Sequence, residues 1–462
     1  MFDSEPEDEL NGKAFVRQDY EPCDEATRAY VIAMGNRLGV LSRVTKPTSH
    51  EKIVRCLSDL LMACRNRYGA LICWSMNKAD YSGPPYSHSI AKQVLEAAQR
   101  SGDLYQAHKG EKGVSARYRV QHDVPAFLQF RLHGEGAVVE VRAEKPRRNQ
   151  GHVRKGKKLN LSQFRPEVTP IEQQMKEINN LLRKHPLQDA DGTAGGGCRR
   201  IFNNSNLECG GRLQGGWQNV NSEKRLRMTI DGERLCEIDL KACFLFIANA
   251  VTGHTMDLSA DPYSDLRFVK EVNCPDRRKT LRNAAKLFVS TYLSVEGGMT
   301  QFPKGKKTYI DRSGVKKTIS FKEEFGLHKT VKCSDWIRDL HDAFPFLRNI
   351  SFQKGSLMFM ESQIMVTALL SLIEHDTPAY PVHDCLLCKE ADRYLVVDKL
   401  QRAMIEVVGY QGYMDIEYVD GAEEFVSPDP DKLNKPKDFN NQKWYRYDWG
   451  VTEDDIRIIE DY

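Results

Sequence analysis

Three stretches of the chain carry residue types able to handle phosphate chemistry. The first is Arg234-Leu235-Cys236-Glu237-Ile238-Asp239-Leu240, where apolar and polar residues alternate. A strand with this alternation puts Cys236, Ile238 and Leu240 on one face and Glu237 and Asp239 on the other. In the second, Ala379-Tyr380-Pro381-Val382 and Leu386-Leu387-Cys388 flank His383-Asp384 as two strands flank a tight turn. A strand and a hairpin of this kind can bring Asp239 and Asp384 together. Paired carboxylates at strand ends suit two magnesium ions, with manganese as the alternative, because hard cations take oxygen ligands and keep sites open for water and phosphate. Such ions, about 4 Å apart, activate an attacking 3'-hydroxyl and neutralise charge on leaving pyrophosphate. Solubilising surface carboxylates are the plainer reading of the same pattern.

The third stretch runs from Arg278 to Leu293 with helical periodicity, placing Leu281, Ala284, Ala285, Phe288 and Tyr292 on one face. Arg282 and Lys286 lie four residues apart on an adjoining stripe. Two cations so spaced can hold a triphosphate from one side; an exposed basic stripe is the alternative.

Positioning these groups takes more than one core, and 462 residues allow two or three domains. No apolar run approaches the length expected of a membrane-spanning helix, and the first ten residues are acidic where a secretory signal is basic and then apolar. A cytoplasmic protein without a membrane partner is expected. Cysteines are scattered from Cys23 to Cys388, which suggests reduced, buried thiols rather than a disulfide scaffold. Cys385 and Cys388 have metal-knuckle spacing but no second pair follows, so strand packing is expected of them. The net charge is only +3, yet between Arg142 and Arg165 the chain holds Lys145, Arg147, Arg148, Arg154, Lys155, Lys157 and Lys158. That run is either a phosphate grip or a solvated linker.

Residues 1–24 read as an acidic, flexible start. Residues 25–145 give helical spacing as far as Tyr68, a short strand at Ala70 to Trp74, and a turn-rich stretch from Tyr81. Next comes a helix that Ser87 or Ser89 can cap and Gly102 closes. Strands follow at Leu104 to His108 and Ser115 to Val120, joined by Lys109-Gly110-Glu111-Lys112-Gly113. Helix followed by a hairpin with a basic tip is the order of a winged helix, in which Lys109 and Lys112 would reach DNA phosphates. Protein docking modules share that order. Residues 146–197 read as a basic linker and a helix near Ile171 to Leu182, residues 198–426 as alternating strands and helices, and residues 427–462 as a polar tail that folds poorly or docks elsewhere.

The order strand-Asp239, Arg282-x-x-x-Lys286 helix and Val382-His383-Asp384 hairpin resembles the palm and fingers of family A DNA polymerases. Upstream, Gly211-Arg212-Leu213, Trp217-Gln218-Asn219-Val220 and Glu223-Lys224-Arg225-Leu226-Arg227 resemble that family's Gly-Arg-Leu and Gln-Asn-Ile-Pro segments and its Arg-x-Arg. With the winged-helix-like order of the N-terminal domain, the resemblance gives an α+β, multidomain chain in which a right-hand palm and fingers with a reduced thumb follow that domain. It implies that Asp239, Asp384 and the Leu240 carbonyl bind the metals. Arg282 and Lys286 would contact the phosphates of a deoxynucleoside triphosphate. Arg212, Gln218, Asn219, Arg227 and His383 would face primer-template DNA. Replication partners would dock on the N-terminal domain or the tail.

Departures from the family pattern are specific. Asp239-Leu240-Lys241-Ala242-Cys243-Phe244 is closer to the Asp-Leu-Lys run of reverse transcriptases, and it puts Phe244 in the sugar-discriminating place. A ring against C2' excludes a ribose hydroxyl by clash; core packing is the other reading of Phe244. Cys385 stands where the family has a glutamate, and Ser290 and Ser294 where it has aromatic rings. The expected activity is template-directed addition of deoxynucleotides to a primer 3' end by two-metal transfer. The alternatives are a single-subunit-type RNA polymerase or primase, and a DNA-binding replication protein whose palm has lost activity.

Overall fold

A computed structural model describes residues 14–447 except 17–19, 43, 66, 77, 82–85, 111–115, 133–137, 145–155, 190–191, 196, 255–256, 296–297, 311–315, 349, 438 and 440–444. Lys112, most of the basic stretch, residues 1–13 and 17–19 of the acidic start, and residues 448–462 lie outside the described residues; Tyr20–Pro22, within that start, forms a strand rather than a flexible segment. The chain forms two compact units, residues 1–138 with 179–197 and residues 139–178 with 198–462.

In the first unit the apolar periodicity before Tyr68 resolves into two helices, α1 (Glu25–Arg37) and α2 (Pro47–Cys64). The Asp24 carboxylate accepts the Thr27 amide at 2.7 Å and starts α1. Pro47 starts α2, at a position where no backbone donor is needed. Then come β1 (Leu71–Trp74), α3 (His88–Arg100), β2 (Leu104–His108) and β3 (Ala116–Val120). Strand β3 lies between β1 and β2 and is antiparallel to both. The second strand of the hairpin thus inserts beside the strand that precedes α3. Helix α3 buries Ala91, Val94, Leu95 and Ala98 and exposes Ser89, Lys92, Gln93, Glu96 and Arg100. Ser87 occupies the N-cap position, but its hydroxyl pairs with that of Ser89 at 2.7 Å, so neither serine makes the expected side-chain cap. Gly102, at φ 79°, ends the helix in the left-handed region. Lys109 is exposed just beyond β2.

The second unit contains, in chain order, β4 (Val139–Val141), α4 (Val168–Lys184, its first part), β5 (Arg199–Asn203), β6 (Asn206–Gln214), α5 (Ser222–Leu226), β7 (Leu235–Leu240), α6 (Cys243–Val251), α7 (Pro275–Ser294), α8 (Cys333–Ala343), α9 (Ser356–Ile373), β8 (Ala379–Val382), β9 (Cys385–Lys389), α10 (Arg393–Val408), β10 (Met414–Tyr418) and β11 (Glu423–Val426). Five of these strands make an antiparallel sheet in the order β8-β9-β7-β10-β11. The alternation of β7 is realised: Cys236, Ile238 and Leu240 are at most 2% exposed, while Glu237 and Asp239 are half-buried on the opposite face. Helices α6, α9 and α10 pack on one another, and α9 and α10 also pack on this sheet. A second sheet, β6-β5-β4, carries Arg212; its strand β4, which the sequence placed with the N-terminal segment, runs parallel to β5.

Helix α9 corrects one expectation. Its 18 residues are long and apolar enough to cross a membrane by length and composition, but 61% of them are buried inside the fold, as in a core helix. Part of the polar tail is also docked. The Gln411 amide donates to the carbonyls of Asp429 and Lys432 at 3.0 and 2.7 Å, and the Lys435 amide to that of Gly409 at 2.8 Å. Gly409 permits this approach, since a Cβ there would lie 2.5 Å from the Lys435 oxygen.

Candidate active site

Antiparallel pairing of β7 with β9 sets Asp239 opposite Cys385, the residue after Asp384. The Leu240 amide donates to the Asp384 carbonyl at 3.1 Å and closes the junction. Val382 pairs with Cys385, which leaves His383-Asp384 as a two-residue turn. His383 has φ 58°, the positive first position of a tight hairpin turn, unusual for a side-chain-bearing residue. Ala242, at φ 49°, redirects the chain from β7 into α6 in the same unfavoured region. Both departures from relaxed backbone flank the two aspartates.

On the other side of β7, Asp415 of β10 lies opposite Asp239. The Asp239 carboxylate has no hydrogen bond or ion pair among the described residues. Burial first, then the Asp384 carboxylate, pushes its pKa up to about 8; Glu237 and Asp415 push the same way and the Lys286 ammonium opposes. Crowded, partly desolvated carboxylates of this kind favour a divalent cation. No group of three His, Cys, Asp or Glu among the described residues is gathered to hold a metal unaided, so water and phosphate oxygens would complete any coordination shell.

The expected cations are present on α7, in different states. Arg282 donates through Nε and Nη2 to Asp261 at 2.9 and 3.0 Å and lies 6.0 Å from the centroid of the Tyr263 ring. Lys286 is exposed, makes no ion pair among the described residues, and acts on Asp239 through its field. Arg212 is gripped by Glu361, which accepts from its Nε and Nη2 at 2.6 Å each, and its guanidinium lies 5.6 Å from the centroid of Phe244. Phe244 is half-buried although Leu245 and Phe246 beside it are buried. His383 is held below its ordinary pKa, chiefly by desolvation and then by the Arg212 charge.

The other residues singled out in the sequence make the following contacts. The Gln218 amide donates to the carbonyls of Leu213 and Pro381 at 2.9 and 2.8 Å, and the Trp217 indole to that of Pro381 at 2.9 Å, so this segment fastens β6 to the hairpin. Arg227 is exposed and pairs with Glu223 at 2.8 Å. The Asn219 side chain lies outside the described residues. Lys241 turns from Asp239 to donate to the Ser259 carbonyl at 2.7 Å, with Phe425 beneath it. Phe288 is fully buried in a cluster with Trp336 and Phe302, and the Tyr292 hydroxyl bonds His341 at 2.8 Å. Phe288 is thus spent on packing, and Tyr292 is held through its hydroxyl.

Sequence reasoning missed Glu361, Asp415 and Asp261. Only Glu361 left a signal: one acidic residue inside the apolar run of α9, which needs a buried partner.

No family model and no curated protein matches the chain. Among solved structures, the chain is similar to the POL domain of Pol1 from M. smegmatis in complex with DNA primer-template and dNTP, at 12% identity and a TM-score of 0.32. The match covers 61% of this chain and 59% of that one, so the chain spans about three fifths of that structure's length. At that similarity the site stands on its own geometry.

Proposed function

We propose that the second unit is a template-directed DNA polymerase that adds deoxynucleotides to a primer 3' end. The observation that supports this most is the junction of the Asp239 strand end with the His383-Asp384 turn, in which Asp239 has no counter-charge in contact and Lys286 stands free nearby. Asp239, Asp384 and the Leu240 carbonyl would hold the magnesium ions, which when bound supply charge neutralisation at the transferring phosphate.

The chain's own groups divide the remaining work. Lys286 offers an unpaired ammonium to the triphosphate, and Arg282, oriented by Asp261, adds a planar guanidinium. The exposed side of Arg212 faces the primer end. The ring of Phe244 presses on the C2' side of the sugar and rejects ribose by clash. His383, kept neutral near pH 7, lies beside the primer terminus as a hydrogen-bonding group. An RNA polymerase or primase would need room where Phe244 stands. The reading as an inactive palm loses one support, because Lys241 is turned away from Asp239.

The helix-hairpin order of the first unit, with β3 between β1 and β2 and α3 presenting Lys92, Gln93 and Arg100 to solvent, supports a winged-helix DNA-binding role for that unit.

The test is single-nucleotide incorporation on a DNA primer-template with deoxy- or ribonucleotides. The wild type should favour deoxynucleotides strongly, and Phe244→Ala should raise relative ribonucleotide kcat/KM by about tenfold or more. A folded Phe244→Ala with unchanged preference rejects the gate, and a wild type that prefers ribonucleotides moves the protein to the RNA polymerase or primase class.

A further inference from the structure

Three consecutive residues of α9 hold two arginines of the β5-β6 hairpin. Glu361, 0% exposed, accepts twice from Arg212. Ser362 and Gln363 accept from Arg200, which is 2% exposed and also donates to the Gly211 carbonyl at 2.9 Å. No acid pairs with Arg200 among the described residues; its charge rests on neutral acceptors and on the rings of Phe202 and Phe359, at 5.0 and 5.9 Å. The β6 backbone is pressed against α9 as well: a Cβ at Gly211, φ 73°, would lie 2.9 Å from the Ser362 hydroxyl. Arg212 is therefore anchored from behind by a rigid helix.

The guanidinium fork uses two of its five protons on Glu361. The other edge makes no hydrogen bond among the described residues, and the plane's carbon stands over Phe244, the ring assigned to sugar selection. Tilting the guanidinium would open space behind that ring.

We propose that Glu361 is a positioning and specificity-determining residue: by fixing Arg212 in two-point contact it backs the Phe244 ring and so sets discrimination between deoxyribose and ribose. The inference rests on the polymerase reading above. Glu361 does not touch substrate; it acts through Arg212 on Phe244. An ammonium does not reproduce the fork, because its three donors are not fixed in one plane matched to a carboxylate and it has no flat face to set against a ring.

The experiment compares single-nucleotide incorporation by the full chain for wild type, Glu361→Gln, Arg212→Lys, Phe244→Ala and the Glu361→Gln/Phe244→Ala pair. Glu361→Gln and Arg212→Lys should each lower the deoxy-to-ribo ratio of kcat/KM by about tenfold. The pair should lose no more selectivity than Phe244→Ala alone, because all three side chains act in series. A merely structural Glu361 would lower activity on both sugars alike and leave the ratio unmoved. A folded, active Glu361→Gln with a wild-type ratio overturns the inference, as does a pair whose losses multiply. Should Glu361→Gln fail to fold, Arg212→Lys alone decides, since it keeps a positive charge beside the buried carboxylate. A wild type that extends no primer overturns the polymerase reading itself, and this inference with it.

Discussion

Glu237 and Asp239 stand two residues apart on one face of one strand, and the molecule treats them in opposite ways. Glu237 accepts from the Arg225 Nη2 at 2.7 Å and from the Cys385 thiol at 2.9 Å, with Arg225 itself only 7% exposed in its side chain. Asp239 has carboxylates on both flanks and no cation in contact. A carboxylate matched by a buried guanidinium is part of the scaffold; one left crowded and unmatched is poised for a cation from solution. Cys385, which stands where the resembled family has a glutamate, donates to Glu237 and belongs to the scaffold half of the contrast.

Amide substitution should separate the two positions. Asp239→Asn should lower the rate of primer extension by roughly a thousandfold or more, because a metal ligand is lost, while primer-template affinity changes little. Glu237→Gln should leave the folded protein active but strand Arg225 without its acid; a denaturant titration should show a loss of about 3 kcal/mol, as for a broken buried pair. Comparable loss of activity in both variants, with equal stability, would erase the distinction.

The contrast also has a pH signature. Asp239 has a folded pKa raised above its unfolded value, so the native state holds its proton longer and is penalised as pH climbs from the unfolded value toward about 8. In chelator, Asp239→Asn should therefore be more stable than wild type above pH 8, by on the order of 1–2 kcal/mol after allowance for solvent screening. The gain should vanish near pH 4 and shrink when magnesium is added. Thermal melts across that range in both buffers read it directly; a gain that persists at pH 4 points to packing instead.

Much of this was legible because it depends on local pattern. Period-two alternation gave the face of Asp239, and two short strands around His383-Asp384 gave the turn. The helical stripe gave Arg282 and Lys286. What escaped depends on long-range register: Asp415 faces Asp239 only because β10 pairs with β7, and Asp261 meets Arg282 from a loop 21 residues upstream. The tail from Asp429 was unreadable for a related reason, since a segment held through its own backbone carbonyls by Gln411 carries the same side-chain pattern as a polar tail in solvent.

The smallest expected effect lies in the first unit. Lys109→Ala, tested in the full chain on blunt duplex without a primer terminus, should reduce the slope of log affinity against log salt by about one. An unchanged slope removes Lys109 from the phosphate contacts and favours a protein-docking role for the hairpin.

The most direct test is primer extension on a DNA template with magnesium, run for wild type beside Asp384→Ala. The proposed site predicts templated addition of deoxynucleotides by the wild type, none in chelator, and none by Asp384→Ala despite retained primer-template binding. Extension by Asp384→Ala at the wild-type rate, or a wild type inert with both magnesium and manganese, would contradict it.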